Sequence, residues 1–137
     1  MLTVPGSENW RVVSVYCTFA TSAVVANRMP AVYFADPDGN RWAEQPCPNV
    51  LAAGGTIRPF WGIGAGAGFG SNDGSRAAGL TDVILPGGFG VEIGASNLDA
   101  DDTLTGVTLF TEVFIIGADG YPVGPWTDAA GISPPVP

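Results

Sequence analysis

The stretch LTGVTLFTEVFII, Leu104 to Ile116, gives the strongest strand signal in this chain. In an extended backbone, successive side chains point to opposite faces, and one face then carries Val107, Leu109, Thr111, Val113 and Ile115. An amphipathic helix would instead repeat its apolar positions every three to four residues. The period of two residues therefore predicts a long β-strand from Leu104 to Ile116.

The same period recurs through the rest of the chain. In Trp10 to Phe19, one face carries Val13, Val15, Cys17 and Phe19, and the other carries Ser14, Tyr16 and Thr18. Further strands are predicted at Arg28 to Ala35 (with Val32 and Phe34 opposed to Ala31 and Tyr33), from near Arg41, at Thr56 to Gly64, at Leu80 to Leu85 and at Phe89 to Ile93. No window of ten or more residues has the apolar stripe of a helix.

Length and composition indicate how these strands are organised. The chain has 137 residues, enough for one core, and its 46% hydrophobic residues argue against disorder. Its 20 glycines and 12 prolines indicate dense turns between short strands. Two antiparallel sheets packed face to face bury six to eight such strands most economically. We therefore predict one all-β domain over residues 1–117, an antiparallel β-sandwich of jelly-roll type.

The C-terminal residues 118–137 follow a different pattern. The segment is rich in proline, lacks an alternation long enough for a strand, and carries two aromatic residues, Tyr121 and Trp126. Proline favours an extended, polyproline-like backbone. A disordered tail is one interpretation; the one we favour is an extended arm laid over an adjacent subunit, with Trp126 as its anchor.

Charge and residue types exclude several functions. Thirteen acidic residues face five arginines, giving a net charge of −8 that repels nucleic acid. The chain has no histidine and no lysine, so the commonest general bases are missing, and nothing obvious would activate Thr21 or Ser22. No apolar run is long enough for a membrane-spanning helix, and the N-terminus has no export signal. We predict a non-enzymatic protein without a cofactor, although a hydrolase using a carboxylate pair stays formally possible.

Two acidic segments could bind calcium. In DPDGN, residues 36–40, the acidic spacing resembles the start of a calcium loop, but the twelfth position holds Cys47 rather than a glutamate, so we predict a turn between strands. Asp99, Asp101 and Asp102 are predicted to be surface carboxylates without partners. No metal site is assigned to either segment.

Two further patterns leave alternatives open. Cys17 and Cys47 match no zinc spacing, and we favour two buried or half-buried thiols over one disulfide. The glycine-rich segment 61–79 matches no phosphate-binding motif. Such a segment either loops out flexibly or lets another backbone approach closely.

Several short motifs, taken in order, resemble small β-rich virion proteins of tailed bacteriophages. The resemblance covers roughly residues 1–116. The motif residues are Val4-Pro5-Gly6, Trp10-Arg11-Val12, Ser14-Val15, Thr21-Ser22-Ala23, Asn27-Arg28, Asp36, Gly39-Asn40, Leu85-Pro86-Gly87, Asp102-Thr103-Leu104, Val107 and Leu109. The chain departs from the pattern at Ala26, where a glycine is usual, in its glycine-rich segment and in its tail.

The resemblance implies a structural role in a phage particle. The first expectation is a capsid decoration or cement protein, and the second is a neck or tail accessory protein. Its partners would be the major capsid protein or other virion proteins and further copies of itself, and its location would be the virion, assembled in the host cytoplasm. The interface candidates are Trp10, Arg28, Trp61, Phe69, Tyr121 and Trp126, because interfaces favour aromatic residues and arginine.

Two of these candidates also have a structural interpretation. Trp10 can anchor the start of a strand, and Arg28 can bond loop carbonyls or a carboxylate. An alternative function from another class is a carbohydrate-binding module. It would stack sugars on Tyr33, Trp42 and Trp61, with calcium at Asp99, Asp101 and Asp102.

Overall fold

The computed structural model describes residues 1–48, 50–69, 74–116 and 122–123, with only the backbone at 69, 122 and 123. The described residues form eleven strands: β1 (Leu2–Thr3), β2 (Glu8–Ala20), β3 (Pro30–Ala35), β4 (Arg41–Pro46), β5 (Thr56–Ile63), β6 (Gly68–Phe69), β7 (Ser75–Leu80), β8 (Ile84–Leu85), β9 (Gly90–Ala95), β10 (Thr103–Ile116) and β11 (Pro122–Val123). No helix that could cross a membrane is found in these ranges.

The strands form two sheets. The small sheet has the order β1-β9-β3-β4, and the large sheet has the order β11-β10-β2-β5-β7-β6, with β8 also pairing with β2. Side chains from both sheets meet in one core, and the main contributors are Val12, Val15, Cys17, Val32, Phe34, Trp61, Leu80, Leu85 and Val91. The predicted all-β sandwich is confirmed. This strand order does not establish the jelly-roll topology, and the arm over residues 118–137 lies outside the described residues apart from β11.

Most of the predicted strands are present. The strands predicted at Trp10 to Phe19, Thr56 to Gly64 and Leu104 to Ile116 correspond to β2, β5 and β10, with ends that differ by one or two residues. Both faces of β3 are buried, so the expected contrast between its two faces is not seen. A central strand covered on both sides loses the alternation that marks a half-buried one.

In β2 the buried face is not the one that strict alternation predicts. Val15 and Phe19 are buried as expected, but towards the start of the strand Val12 is buried and Val13 is only half-buried. Because Ser14 pairs with Phe110 and Val12 pairs with Thr111, Val13 is an extra residue without an opposite partner. This β-bulge shifts the inward-facing positions by one residue.

The predicted strand at Leu80 to Leu85 is wrong. This segment contains the end of β7 and the whole of β8, separated by three residues outside any strand. The strand that forms instead is β7, which pairs in parallel with β5 from Arg58↔Ser75 to Ile63↔Leu80. The large sheet is therefore mixed, not purely antiparallel as predicted.

A glycine explains how β7 reaches β5. Gly74 has φ +72°, and a Cβ placed there would lie 3.0 Å from the Thr56 carbonyl oxygen and 3.4 Å from the Ile57 Cα. Only glycine combines this left-handed conformation with so close an approach to another backbone. Of the two interpretations of the glycine-rich segment, close backbone approach is therefore the one seen at this position.

The two cysteines are free thiols in the core. Burial raises the pKa of the Cys17 thiol to about 12 and that of Cys47 to about 11. The favoured interpretation of buried thiols is confirmed.

The DPDGN segment is a turn between β3 and β4, as predicted. The Asp36 carboxylate accepts hydrogen bonds from the backbone N–H groups of Asp38 (3.0 Å) and Asn40 (2.8 Å) and from the Asn40 side chain (3.0 Å). Gly39 supplies the positive φ of +85°. The bond from the Asn40 side chain, together with those from the backbone, lowers the pKa of Asp36. Its carboxylate therefore closes the turn.

Two motifs of the virion resemblance, Val4-Pro5-Gly6 and Leu85-Pro86-Gly87, are in contact. The backbone N–H of Val4 donates to Phe89 (2.8 Å), and that of Gly88 donates to the Val4 carbonyl (2.9 Å). A Cβ placed at Gly87 would lie 2.7 Å from the Gly6 Cα and 2.8 Å from the Pro5 carbonyl oxygen. The N-terminal segment is thus held backbone against backbone on the turn before β9.

This contact predicts a destabilising substitution. Gly87→Ala should lower the free energy of unfolding by roughly 1–3 kcal/mol, because two backbones would have to separate. Gly6→Ala is the matched control, since a Cβ there meets nothing within 4 Å. Urea unfolding monitored by tryptophan fluorescence measures both. Equal stabilities of the two variants would contradict the close contact.

Candidate interaction surface

The outer face of the large sheet carries a row of three exposed aromatic side chains. Tyr16 of β2, Phe60 of β5 and Phe110 of β10 are 43%, 40% and 55% exposed. Tyr16 is directly opposite Phe60 in the β2–β5 pair, and its ring centroid lies 6.3 Å from that of Phe110. We call these three residues the aromatic row.

The aromatic row results from strand alternation. Val15 and Cys17 point into the core, so Tyr16 between them points outward. Ile57, Pro59 and Trp61 are buried in β5, which places Phe60 outside. The Phe60 ring lies over Gly62, where a Cβ would be 2.8 Å from two ring atoms. A glycine at that position lets the ring lie flat along the sheet.

β10 forms one edge of the large sheet for most of its length. On the edge of β10 that faces away from β2, the only described partner is β11, which pairs with Ile115 and Ile116 alone. Residues 103–114 therefore have no described strand on that side. Their exposed apolar side chains are Val107 (54%), Phe110 (55%) and Val113 (42%). Unpaired backbone groups together with apolar side chains make an edge that can accept another strand.

An apolar groove lies beside the inner face of β10, where the small sheet ends at β1 and β9. It has a volume of about 310 Å³ and is lined by Met1, Leu2, Val15, Val91, Glu92, Ile93, Leu104, Val107 and Leu109. The charged member of this lining, Glu92, has its carboxylate bonded to the Arg41 guanidinium at 2.7 and 3.2 Å. Both faces of β10 thus border apolar surface.

The edge is almost without charge. Glu112 is the one charged residue of β10, and its carboxylate accepts a hydrogen bond from Arg11 at 2.9 Å. Arg11 also donates two hydrogen bonds to Asp82, at 2.7 and 2.8 Å, and these lower the pKa of Asp82. In a chain with a net charge of −8, β10 is therefore a weakly repulsive surface.

Two of the predicted interface residues are fully buried, and a third is half-buried against the core. Arg28 and Trp61 are both 0% exposed, so neither side chain offers a surface to a neighbour, and these two predictions are corrected. A core position accounts for Trp61, and an internal ion pair accounts for Arg28. Trp10 packs against the core and donates its indole N–H to the Glu8 carboxylate (2.5 Å). Trp10 therefore anchors the start of β2, which is the structural interpretation given to it.

The remaining interface candidates stay predictions. The backbone of Phe69 belongs to β6, but its side chain lies outside the described residues. Tyr121 and Trp126 also lie outside them.

The side chains proposed for sugar stacking do not form a platform. Trp61 is buried, Tyr33 is 7% exposed, and the Arg41 guanidinium lies 4.0 Å from the centroid of the Tyr33 ring. Trp42 is 46% exposed and stacks on the buried Phe34 with a centroid separation of 5.6 Å. The predicted set therefore lacks the shared exposed face that a sugar needs.

A buried ion pair joins the loop before β10 to the loop between β2 and β3. Arg28 Nε donates to Asp102 Oδ2 at 2.9 Å, and the two side chains are 0% and 1% exposed. Arg28 Nη1 donates to the carbonyls of Val24 (2.6 Å) and Ala26 (3.1 Å), and Nη2 donates to Ser22 Oγ (3.1 Å). The expectation that Arg28 bonds loop carbonyls or a carboxylate is confirmed.

Asp102 completes this network from the other side. Its carboxylate accepts the backbone N–H groups of Ser22 (2.7 Å) and Asp99 (2.8 Å) in addition to Arg28. The prediction that Asp102 is an unpaired surface carboxylate is wrong, because both of its oxygens are used inside the protein. Within the ranges that the structure describes, no group of three or more acidic, cysteine or histidine side chains could hold a metal ion.

The network makes the stability of the domain depend on pH. Removal from water would raise the pKa of Asp102, but the N–H groups of Asp99 and Ser22 and the Arg28 guanidinium outweigh this, and the pKa falls from 3.8 to about 2. Stabilisation by a carboxylate with a lowered folded pKa is complete above about pH 4 and is lost as the pH falls towards 2. Asp102→Asn should therefore be less stable at neutral pH and should lose less stability between pH 5 and 2.

Urea unfolding at several pH values measures this dependence. Asp101→Asn is the control, because Asp101 is an exposed carboxylate one position away, and we expect it to keep the wild-type acid dependence. An Asp102→Asn variant with the wild-type dependence would show that other groups control acid unfolding.

The aromatic row was missed in the sequence although it leaves a signal. Tyr16, Phe60 and Phe110 are aromatic residues at the positions that strand alternation assigns to solvent. Such a position normally carries a polar side chain. The registers that align the three residues across three strands cannot be read from one sequence, so the row appears only in the fold.

No family model matches the chain, and no curated protein and no solved structure matches it.

Proposed function

We propose that the chain is a non-enzymatic structural component of a bacteriophage virion, and within that class a capsid decoration or cement protein. The observation that carries the proposal is the arrangement of the residues that resemble phage virion proteins. Ser22, Arg28 and Asp102 form one buried network, although 74 residues separate Arg28 from Asp102. The motifs at residues 4–6 and 85–87 form a second contact.

This arrangement supports the proposal because motifs scattered by chance would have no reason to meet in space. The motifs stabilise loops and turns, which fits proteins that share a scaffold without sharing a reaction. The aromatic row and the β10 edge add exposed apolar surface, which is typical of a binding face. A neck or tail accessory protein is the second candidate within the same class.

Copy number in purified particles tests the proposal. Quantitative mass spectrometry of phage particles that encode this chain should find it in stoichiometric amounts. Hundreds of copies would favour decoration of the capsid or a place in the tail tube, whereas a few dozen or fewer would favour the vertex, neck or baseplate. Absence of the chain from intact particles would refute a virion role.

The aromatic row favours one function of another class, carbohydrate binding. Three exposed rings on a flat sheet resemble the stacking surface on which a sugar chain lies. A glycan array would detect such binding, and Tyr16→Ala should abolish it because Tyr16 is the central ring. Trp42→Ala is the control, because Trp42 is an exposed aromatic residue of the small sheet. Binding that does not depend on Tyr16 would exclude the aromatic row as the sugar site.

A further inference from the structure

We propose that the β10 edge pairs with the same edge of a second copy, so that the two large sheets become one continuous sheet across a two-fold axis. The inference does not depend on the virion role, since it concerns the purified chain. It rests on the edge of β10 that has no partner among the described residues, on the direction of the side chains and on charge.

The edge has a regular segment long enough for pairing. Gly106, with φ +60°, lies where the register between β10 and β2 shifts, so a bulge interrupts the strand there. From Thr108 to Phe114, β10 itself has no bulge, since the extra residue at the next register shift is Val13 of β2. With a two-fold axis near Phe110, Thr108 to Glu112 of one copy would pair with the same five residues of the other copy, over about 17 Å at about 3.3 Å per residue. The backbone N–H and C=O groups here that have no partner in the part of the chain that the structure describes can be satisfied by an antiparallel strand.

Self-pairing also buries the side chains that remain exposed. Residues directly opposite each other in an antiparallel pair point to the same face. If the two-fold axis passes near Phe110, then Phe110 meets its own copy on the outer face and Val107 meets Val113 on the inner face. The second β10 would then lie beside the apolar groove, and the aromatic row would continue from one copy to the other.

Charge favours the β10 edge over more acidic parts of the surface as the place where two copies meet. Two molecules with a net charge of −8 repel each other. Along Thr108 to Phe114 the single charged side chain is Glu112, and Arg11 is bonded to it. Repulsion at this edge is thus smaller than it would be at a surface that carries several of the other twelve acidic residues.

The chain's own C-terminal segment is a poorer candidate for this edge. The pairing of Val123 with Ile115, if it continued, would place Pro125 opposite Val113. Proline has no backbone N–H, so it could donate no hydrogen bond to β10 at that position. A second β10 contains no proline.

The expected association is weak. Standard stable interfaces bury at least about 1,200 Å² of surface, and one pair of strands buries less than this. We therefore expect a dissociation constant on the order of 10 µM, which repetition in an assembly would strengthen through avidity. Sedimentation velocity from about 5 to 300 µM, at about 0.15 M salt to screen the net charge, should show a monomer that becomes a dimer.

Two matched variants locate the contact. Phe110→Lys places a charge at the edge and should keep the chain mostly monomeric up to 300 µM, at least a hundredfold weakening of the dissociation constant. Phe60→Lys makes the same change on the same face, but in β5, which has β2 and β7 on its two sides, and it should dimerise like the wild type. Circular dichroism checks that both variants fold. Thr108→Lys is the substitute if Phe110→Lys does not fold.

Hydrogen exchange supplies a second readout. Amides within residues 108–114 should exchange more slowly at high protein concentration in the wild type and in Phe60→Lys. A wild type that stays monomeric up to 300 µM would overturn the proposal. Loss of dimerisation in both lysine variants would also overturn it, because the interface would then be the outer face of the sheet. Protection from exchange that rises only outside residues 103–116 would also overturn the proposal.

Discussion

Replacing Arg28 by alanine is expected to lower the free energy of unfolding by about 3–5 kcal/mol, because the substitution breaks a buried ion pair and leaves its partner uncompensated. The Asp102 carboxylate would keep its two backbone donors but lose its positive charge. The carbonyls of Val24 and Ala26 would also lose a donor. Small domains are stable by only about 5–15 kcal/mol, so the variant would be close to unfolding at room temperature.

Two controls separate the network from the general loss of an arginine. Arg41→Ala removes an exposed ion pair with Glu92 and should cost a small fraction of the Arg28 effect. Arg28→Lys keeps a positive charge but cannot supply the three nitrogens that Arg28 uses, so its loss should be intermediate. Chemical unfolding measured by fluorescence gives all three values. Equal losses for Arg28→Ala and Arg41→Ala would contradict the importance of the buried pair.

Trp61→Ala should destabilise the domain by about the same amount, roughly 3–5 kcal/mol. Trp61 is fully buried in β5, between Val15 of β2 and Ala78 of β7 in the pairing of the large sheet. Removal of its indole would leave the largest cavity that one side chain of this core can create. Thermal and urea unfolding would both show the loss, and the native sheet signal in circular dichroism should be retained below the transition.

Trp61→Phe is the informative companion to this variant. The indole N–H of Trp61 has no hydrogen-bond partner within the described residues, so a phenyl ring gives up bulk without breaking a polar contact. We expect Trp61→Phe to lose clearly less stability than Trp61→Ala. Trp42→Ala is the surface control, because Trp42 is 46% exposed and its removal leaves no enclosed cavity. A loss at Trp42 equal to that at Trp61 would show that the core is not centred on β5.

Alternation of side chains was enough to predict the strands that have one buried and one open face. β2, β5 and β10 fit this description, and their positions are close to those predicted. β7 does not fit, since its sequence SRAAGL contains mostly small residues with no alternation of bulk. It is a strand because β5 and β6 pair with it on its two sides. Pairing of that kind depends on distant backbone and leaves no pattern in the strand itself.

The buried ion pair illustrates what a single sequence shows and what it hides. The bonding capacity of Arg28 follows from its side chain, which predicts loop carbonyls or a carboxylate as its partners. Which carboxylate it meets depends on the fold, because Asp102 lies 74 residues away in the chain. Nothing in the local pattern distinguishes Asp102 from Asp99 or Asp101, so the sequence predicts surface carboxylates at all three positions. The candidate surface depends even more on register and was not predicted.

The position of β2 at the centre of the large sheet has a consequence for synthesis of the chain on the ribosome. β2 is complete at Ala20, but its partner β10 begins only at Thr103. At about 5–20 residues per second, roughly 4 to 17 s pass between the two strands leaving the peptidyl-transferase centre. During that time the edge of β2 that will pair with β10 has no partner strand. The apolar side chains beside it, such as Val15 and Phe19, are then only partly covered. Nascent chains of this protein are therefore expected to need chaperones most before residue 103 has been made.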